Sequence, residues 1–515
     1  MALLQASVQA CPTYAEAYNN IGVVQRDVAL VEEAIGSYEK CLQLCPGSRN
    51  AGQNRLLALN YIFPGEDGRV CKAHSEWGEE FERTMQPLPP VSRSDWDTNP
   101  NRVLRVGYIS PDLYTHSVAF FADAPLSHHN QEAVKHVVYS CVPQADANTA
   151  RLRQAVQKAG GEWKDVVHLS ERQLAGLVRQ DKIDVLVELS GHTANNRLGT
   201  MALRPAPIQV TWIGYPNSTG LRSVDYRFTD VNCDPVSTRQ TFTEELVRLP
   251  GCFLCYTPLV NPPPVAAAPC VRNGFITFGS FNGLAKITPE VIKLWCRILL
   301  SVPSARFVLK QKPLVCETTK AHLLQLFAAE GIESWRVDLL PAIPQTYDHL
   351  AMYSLMDVSL DPFPYAGTTT TCESLFMGVP CLTLKGHCHA HNVGVSLVRA
   401  VGLEEHWLAS TQEEYLQLAV EASQDFERLE ELRSGLRDRM LKSPLCDAPA
   451  FMPKLESTYR SLWTRWLKQS GEGGDCVSLE PSQMPHKRKN SNELELQRKA
   501  SREGTQVETS PEQGC

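Results

Sequence analysis

The residues best suited to chemistry are four consecutive threonines, Thr368 to Thr371, in the stretch PYAGTTTTCESLFMGVP. They follow Gly367 and precede an apolar run of small residues that predicts a helix. The first backbone N–H groups of a helix are unpaired and carry partial positive charge, so hydroxyls placed there indicate an anion site. Phosphate is the simplest anion for this site. The alternative is that one threonine caps the helix and the others are filler.

A second loop in the same half of the chain carries a lysine before a predicted helix. The stretch FGSFNGLAKIT follows a predicted strand and contains Asn282, Gly283 and Lys286. A lysine placed there acts as a point charge on a diphosphate, although alone it would be read as a solvated surface lysine. Glu373 is expected in the first turn of the helix after the threonines, where it suits a ribose hydroxyl or simply complements the helix dipole.

Polar loops also follow predicted strands in the first half of the chain. SPDLYTH supplies Asp112 and His116, SGHTANNR supplies His192, and IGYPNSTG supplies Gly214. A carboxylate beside an imidazole is suited to moving a proton from a hydroxyl. Each side chain taken singly is better explained as a cap or a surface group. Together, three strand-end loops opposite one phosphate site indicate a cleft for a donor and an acceptor.

Two runs of alternating strands and helices must position these loops. Short β-branched apolar segments begin at Leu104, and the alternation restarts after the proline-rich linker YTPLVNPPPVAAAPCV. This pattern predicts an α/β protein with two Rossmann-like, doubly wound lobes and a cleft between the carboxyl ends of their strands. The predicted divisions are a tetratricopeptide-like helical segment over 1–60, a helical linker over 61–102, an N-terminal lobe over 103–262, a C-terminal lobe with the predicted phosphate site over 270–468 and a disordered tail over 469–515.

The helical segment shows the apolar spacing of one tetratricopeptide repeat. Within residues 14 to 46, Tyr18, Ile21 and Gly22 are followed by Ala34 and Tyr38 at the spacing of a helix-turn-helix unit. A solenoid needs about three such repeats to bury its faces. The single good repeat therefore either docks on the next domain as a cap or belongs to the end of something longer.

Composition limits the classes of function. The 515 residues include 43% hydrophobic and 21% charged residues with a net charge of -7, so the composition is globular and a basic nucleic-acid face is not expected. No apolar run approaches the length of a membrane span, and the start of the chain lacks the pattern of a signal peptide. The 17 cysteines are scattered through apolar segments, as expected for buried thiols in a reducing compartment.

The quoted loops resemble one protein family. RVGYISPDLYTHSVAFF, ELSGHT, LRPAPIQVTWIGYPNSTG, FGSFNGLAKIT, DPFPYAGTTTTCESLFMGVPCLTLKG and HAHNVGVSL are similar to the SPINDLY branch of the nucleocytoplasmic O-GlcNAc transferases, over about residues 10 to 468. The resemblance implies a GT-B fold, repeats that recruit protein substrates, and inverting transfer of a sugar from a nucleotide to Ser or Thr without a metal cofactor. It also implies a location in the nucleus and cytoplasm and the signalling role of that branch, which includes gibberellin signalling.

The resemblance also implies roles for particular residues. By matching position, it assigns the nucleotide-binding residues: Lys286 to the diphosphate, Thr369 and Thr370 to phosphate binding, Glu373 to the ribose and His349 to the surroundings of the base. It also assigns His116 and Asp112 to the active site, with Asp112 relaying the acceptor proton, and His74 to the lining of the site. Oligomeric state is not indicated.

Three departures from the O-GlcNAc transferase pattern bear on the donor. Thr368 replaces a histidine, Gly283 replaces a glutamine and His192 replaces a tyrosine. These changes follow the SPINDLY pattern, and the resemblance implies GDP-fucose as donor, with UDP-GlcNAc as the alternative. A catalytically weak interaction protein is a second alternative, supported by the scarcity of repeats. A small-molecule GT-B enzyme, such as an epimerase, would not be expected to carry the helical repeat.

A histidine-rich stretch, GHCHAHN, invites a metal interpretation. His387, His389 and His391 alternate along it as in a metal-binding strand. Because no Asp or Glu nearby completes a ligand set, we interpret the stretch as a loop of the cleft and predict no metal site.

Overall fold

An all-α segment precedes two parallel sheets in the computed structural model. The structure describes residues 1–469 apart from 66, 67, 93 and 95. The predicted tail lies outside the described residues, except for residue 469, which ends the last helix. Among the described residues, every helix is too short or too polar to cross a lipid bilayer.

The first sheet contains parallel strands in the order β3-β2-β1-β4-β5-β6-β7. The strands are β1 Leu104–Ser110, β2 Val134–Ser140, β3 Glu162–Asp165, β4 Val185–Glu188, β5 Ile208–Thr211, β6 Tyr226–Thr229 and β7 Glu245–Arg248. The central strands are buried apolar runs, as expected where helices cover both faces of a parallel sheet.

The second sheet is also parallel, with the order β10-β9-β8-β11-β12-β13. The strands are β8 Thr277–Ser280, β9 Arg306–Lys310, β10 Val337–Leu340, β11 Val358–Leu360, β12 Cys381–Leu384 and β13 Leu408–Ala409. In each sheet the strand order changes direction once, between β1 and β4 and between β8 and β11. Ligands bind outside the carboxyl ends of strands at such points, and the predicted site loops follow these strands or their neighbours. The prediction of two doubly wound lobes is confirmed.

Helices surround both sheets and form the start of the chain. They are α1 Ala2–Ala10, α2 Ala15–Asp27, α3 Val31–Leu44, α4 Arg49–Ile62, α5 Arg69–Arg83, α6 Ser117–Ser127, α7 Ala147–Lys158, α8 Glu171–Gln180, α9 Leu198–Ala202, α10 Pro269–Asn273, α11 Pro289–Ser301, α12 Glu317–Ala329, α13 Thr346–Ala351, α14 Thr369–Phe376, α15 His389–Ala400, α16 Glu404–Trp407, α17 Gln412–Ala422, α18 Phe426–Leu441 and α19 Ala448–Gln469.

The last helix crosses back to the first lobe. On α19, the hydroxyl of Tyr459 lies 2.9 Å from that of Tyr108 on β1, and Glu456 pairs with His129 at 2.9 Å. The predicted lobe over residues 270–468 is continuous in sequence, but its last helix, α19, packs on the sheet of the first lobe.

The helical segment docks on both lobes. Helices α2 and α3 form the predicted repeat pair, and Gly22 is required there because a Cβ atom would lie 2.5 Å from the buried ring of Tyr38. Tyr38 belongs to an apolar cluster that includes Ala285 of the lysine loop. Tyr61 on α4 stacks on Tyr365 with ring centroids 5.0 Å apart, and Asn60 donates to the hydroxyl of Tyr215 at 3.0 Å. The segment thus supports loops of both lobes, as the first of the two sequence alternatives predicts.

Candidate active site

A cavity of about 310 Å³ opens between the carboxyl ends of the two sheets. Its volume is at the lower end of the range of small-molecule sites. The predicted site residues that line it are His116 and Gly214 from the first lobe and Asn282, Gly283, Lys286, Thr368, Thr369 and Thr370 from the second. The structure therefore brings the lysine loop, the threonine turn and one first-lobe histidine to a single space.

Lys286 ends a short 3-10 turn that follows β8. Its Nζ donates to the carbonyl of Ala366 at 2.7 Å and lies 4.2 Å from the centroid of the Tyr365 ring. Burial lowers the pKa of Lys286, and the carboxylate of Asp361 opposes this change. A cation held by a carbonyl and an aromatic face gains from an added anion, so the site suits a diphosphate.

The threonine turn is shaped by Asp361 below it. The Oδ1 atom of Asp361 accepts from the backbone N–H of Gly367 at 2.6 Å, so this N–H is engaged within the protein. Gly367 does not line the cavity, and its contribution to the anion site stays a prediction. Thr368 occupies the N-cap position of α14, but its side chain makes no capping hydrogen bond. Capping therefore does not account for the Thr368 hydroxyl.

The third threonine joins the threonine turn to the lysine loop, and the fourth faces away from the cavity. Thr370 Oγ1 donates to Oδ1 of Asn282 at 2.9 Å. Thr371 is 1% exposed and lies outside the cavity wall, because successive residues of a helix turn through about 100°. Binding of the nucleotide by Thr371 stays a prediction that this position does not favour.

Glu373 lies deeper than expected, within a polar network. Because α14 begins at Thr369, Glu373 is the fifth helical residue and not part of the first turn. Its Oε2 accepts from Nε2 of His349 at 3.0 Å and from the hydroxyl of Tyr353 at 3.2 Å. Neither Glu373 nor His349 lines the cavity, and the two side chains contact each other instead.

Sequence reasoning missed the lysine that completes this network. Lys310 ends β9, is 2% exposed and donates to Nδ1 of His349 at 2.7 Å. Burial lowers the pKa of Lys310 to about 8, with Glu373 acting in the opposite direction. The available signal was a lysine that ends an apolar strand, RFVLK, at the edge where ligands bind.

Asp112 lies beside His116, which lines the cavity. Nδ1 of His116 lies 3.9 Å from Oδ1 of Asp112 and accepts from the N–H of Val118 at 3.3 Å, so the neutral ring carries its proton on Nε2. Asp112 is 6% exposed. Burial, with a smaller effect of Glu188, raises the pKa of Asp112 to about 7. This carboxyl group is therefore able to exchange a proton near neutral pH.

A second cavity, of about 580 Å³, adjoins the first at His116. Asp112, Tyr114, Asp146 and Asn195 contribute to its wall. His116 thus borders both spaces, with the phosphate-type donors on one side and the Asp112 carboxyl on the other.

His74 and His192 are buried and do not line the main cavity. Nδ1 of His74 donates to the carbonyl of Val70 at 2.7 Å, and Nε2 accepts from the Tyr215 hydroxyl at 2.7 Å. Burial lowers the pKa of His74 to about 4. His192 donates to the carbonyl of Thr219 at 2.8 Å. Both histidines thus contact the loop that contains Tyr215 and Thr219, and their roles in the site stay predictions.

The histidine-rich stretch gains a carboxylate from the other lobe. Nδ1 of His389 lies 2.7 Å from Oδ2 of Asp234, and His389 is among the residues that line the main cavity. Within the part of the chain that the structure describes, no group of three or more His, Cys, Asp or Glu side chains is arranged to hold a metal ion. Sequence reasoning could not pair these residues, since they are far apart in the chain.

Comparison with known proteins agrees with this fold. The sequence matches Glycosyl transferase family 41 over residues 85–256 and 270–455, and the chain belongs to this family. The O-GlcNAc transferase of Thermobaculum terrenum, solved as a mutant, superposes with a TM-score of 0.84 at 36% identity over 91% of this chain and 88% of that one. The GT-B prediction is thereby confirmed.

Within the family, the chain is similar to SPINDLY proteins. It is 55% identical over 86% of its length to the Arabidopsis thaliana protein named "Probable UDP-N-acetylglucosamine--peptide N-acetylglucosaminyltransferase SPINDLY", and the match covers 47% of that protein. The protein of the same plant named "Probable UDP-N-acetylglucosamine--peptide N-acetylglucosaminyltransferase SEC" is 31% identical over 70% of this chain and 37% of its own length. The chain spans about half the length of the SPINDLY relatives. The resemblance inferred from the motifs is confirmed.

The threonine geometry gives a matched test. We expect Thr369→Val combined with Thr370→Val to weaken nucleoside diphosphate binding by roughly 1.5 to 3 kcal/mol per hydroxyl, because both changes delete hydroxyls that can donate to a charged oxygen, the Thr370 hydroxyl after turning away from Asn282. Thr371→Val is the control and should leave binding unchanged, since that hydroxyl lies outside the cavity. Calorimetry on the three proteins measures the difference. Equal affinity of the double variant and the parent would contradict the phosphate role.

Proposed function

We propose that the chain is an inverting protein O-glycosyltransferase that transfers fucose from GDP-fucose to Ser or Thr of nuclear and cytoplasmic proteins, in a regulatory role of SPINDLY type. The observation that carries the proposal is the single cavity in which Lys286, Thr369 and Thr370 face His116, beside the buried carboxyl of Asp112. This arrangement offers cationic and hydroxyl donors for a leaving diphosphate and, next to it, a group able to accept a proton.

The proposed mechanism uses these groups in one displacement. The acceptor hydroxyl attacks the anomeric carbon from the face opposite the nucleotide, and Asp112 takes up the proton that the hydroxyl loses. Negative charge develops on the diphosphate, where Lys286 and the hydroxyls of Thr369 and Thr370 stabilise it. A fixed donor at such a position contributes up to about 3 to 4 kcal/mol in oxyanion sites. The lysine supplies the positive charge, so the proposal includes no metal cofactor.

The second cavity is the proposed acceptor side. It reaches Asp112 from the side of His116 that is turned away from the phosphate loops. A serine or threonine side chain entering there would place its hydroxyl between the carboxyl group and the donor. The docked helical segment is proposed to help recruit the protein that carries it.

UDP-GlcNAc is the alternative donor. The names of the SPINDLY relatives favour it. Gly283 instead favours GDP-fucose, whose guanine base is larger than uracil. Gly283 lines the cavity, and nothing lies within 4 Å of the place where its Cβ atom would be. Thr368, in the position of a histidine in the O-GlcNAc transferase pattern, also lines the cavity and points to the fucosyl assignment.

The direct test is incubation of the purified chain with GDP-fucose or UDP-GlcNAc and a protein extract, followed by mass spectrometry of the modified peptides. We expect fucosylated Ser or Thr, and GDP should raise the melting temperature more than UDP, because a ligand that binds only the folded state stabilises it. Stronger stabilisation by UDP together with GlcNAc transfer would replace the fucosyl assignment. No transfer from either donor, with GDP bound, would favour the interaction-protein alternative.

The role of Asp112 predicts a pH dependence. Its carboxyl group must be ionised to accept a proton, and its pKa is raised to about 7, so the transfer rate should fall as the pH decreases through about 7. Asp112→Asn should remove this acidic limb and lower turnover by about 100-fold or more. Nucleotide affinity should remain near that of the parent.

Asp146 provides the control for this measurement. It borders the same second cavity, but its carboxylate caps α7 and has a pKa lowered to about 2 by the hydrogen bonds of Thr115 and Thr149, although burial opposes them. Asp146→Asn should therefore leave the acidic limb in place. An Asp112→Asn variant that keeps the parent pH profile would exclude Asp112 as the proton acceptor.

A further inference from the structure

The pairing of His389 with Asp234 is not used by the mechanism above. His389 is the first residue of α15 in the second lobe, and Asp234 lies in the loop after β6 of the first lobe. Both are essentially buried, at 1% and 0% exposure, and His389 is one of the residues that line the main cavity. An imidazole from one lobe is thus held beside the site by a carboxylate from the other.

The contacts of the pair fix which nitrogen faces the cavity. Burial would raise the pKa of Asp234, but His389 and the hydroxyl of Thr229 outweigh this and lower it, so the carboxylate is ionised. Nδ1 of His389 therefore donates its proton to Asp234. The ring of Phe253, which also lines the cavity, packs edge-on against His389 with centroids 5.2 Å apart. With Nδ1 engaged and the ring packed, Nε2 is the nitrogen available to a ligand.

The backbone places His389 beside the phosphate loops. The carbonyl of Ala390 accepts from the N–H of Ala366 at 2.9 Å, and the carbonyl of Ala366 accepts from Nζ of Lys286 at 2.7 Å. Two hydrogen bonds, both through Ala366, therefore connect the residue after His389 to Lys286, the proposed diphosphate lysine. A sugar attached to a diphosphate at Lys286 would lie within this same cavity.

We propose that Nε2 of His389 hydrogen-bonds a hydroxyl of the transferred sugar, and that Asp234 is the positioning residue that holds the imidazole for this contact. The inference rests on the proposed function, since it requires a nucleotide sugar as donor. With Nδ1 bound to Asp234, Nε2 is left to hydrogen-bond a ligand, and a sugar hydroxyl can both donate to it and accept from it.

Two substitutions separate sugar contact from lobe bridging. In His389→Asn the amide nitrogen takes the place of Nδ1, which keeps the bond to Asp234 and removes the atom facing the cavity. In His389→Gln the longer amide reaches the place of Nε2 and gives up the bond to Asp234. Contact with the sugar predicts that His389→Asn lowers kcat/KM for the nucleotide sugar by about ten- to a hundredfold, while the affinity for GDP stays within about twofold. His389→Gln should retain more of the transfer activity.

The opposite ranking would overturn the inference. If His389→Asn transfers sugar like the parent and His389→Gln loses both melting temperature and activity, the histidine serves only to join the lobes. A wild-type chain that binds GDP but gains nothing in affinity from the attached sugar would instead contradict the proposed function. A structure of the wild-type chain with the intact nucleotide sugar gives a measurement independent of variant folding. It should show a sugar oxygen within about 3.2 Å of Nε2, and a sugar turned away from His389 would refute the contact.

Discussion

The structure of the site depends on one half-buried positive charge. Nζ of Lys286 is held by the Ala366 carbonyl and the Tyr365 ring, above the buried carboxylate of Asp361. A cation in these surroundings loses much of its hydration, and a diphosphate restores strong charge-assisted contacts. The same carboxylate fixes the turn before the threonines through the Gly367 N–H, so the lysine and the hydroxyls are placed by shared contacts.

This arrangement is supported from outside the two lobes. Tyr61 of the helical segment stacks on Tyr365, and Ala285, next to the lysine, packs in the cluster with Tyr38. A movement of the helical segment would therefore displace the lysine loop. In this family member the repeat helices are part of the framework of the cavity, in addition to any role in recruiting proteins.

Much of this could be predicted from sequence because parallel strands deliver their following loops to one edge of a sheet. Lys286, Thr369, Thr370 and His116 reach a common cavity for that reason. Which of the polar residues are buried away from the cavity could not be predicted in the same way. The sequence does not show that α5 covers His74, or that the helical turn carries Thr371 away from the other threonines.

Pairings between distant segments were also out of reach. His389 and Asp234 belong to different lobes, and Lys310 joins His349 only after α13 packs beside β9. The pattern GHCHAHN indicated a metal site or a loop of the cleft. In the structure its His389 pairs with the carboxylate of Asp234, which no sequence motif marks. Such contacts depend on how finished elements pack together, which local spacing does not encode.

Lys286 is proposed to stabilise a leaving diphosphate, and single-turnover transfer by Lys286→Met tests this role. Lys293→Met, at an exposed lysine of α11 in the same lobe, is the control. We expect Lys286→Met to fold, with a cooperative melting transition, and to lose about 100-fold or more in the transfer rate, while the control transfers like the parent. Transfer by Lys286→Met at the rate of the parent would rule out this role for Lys286.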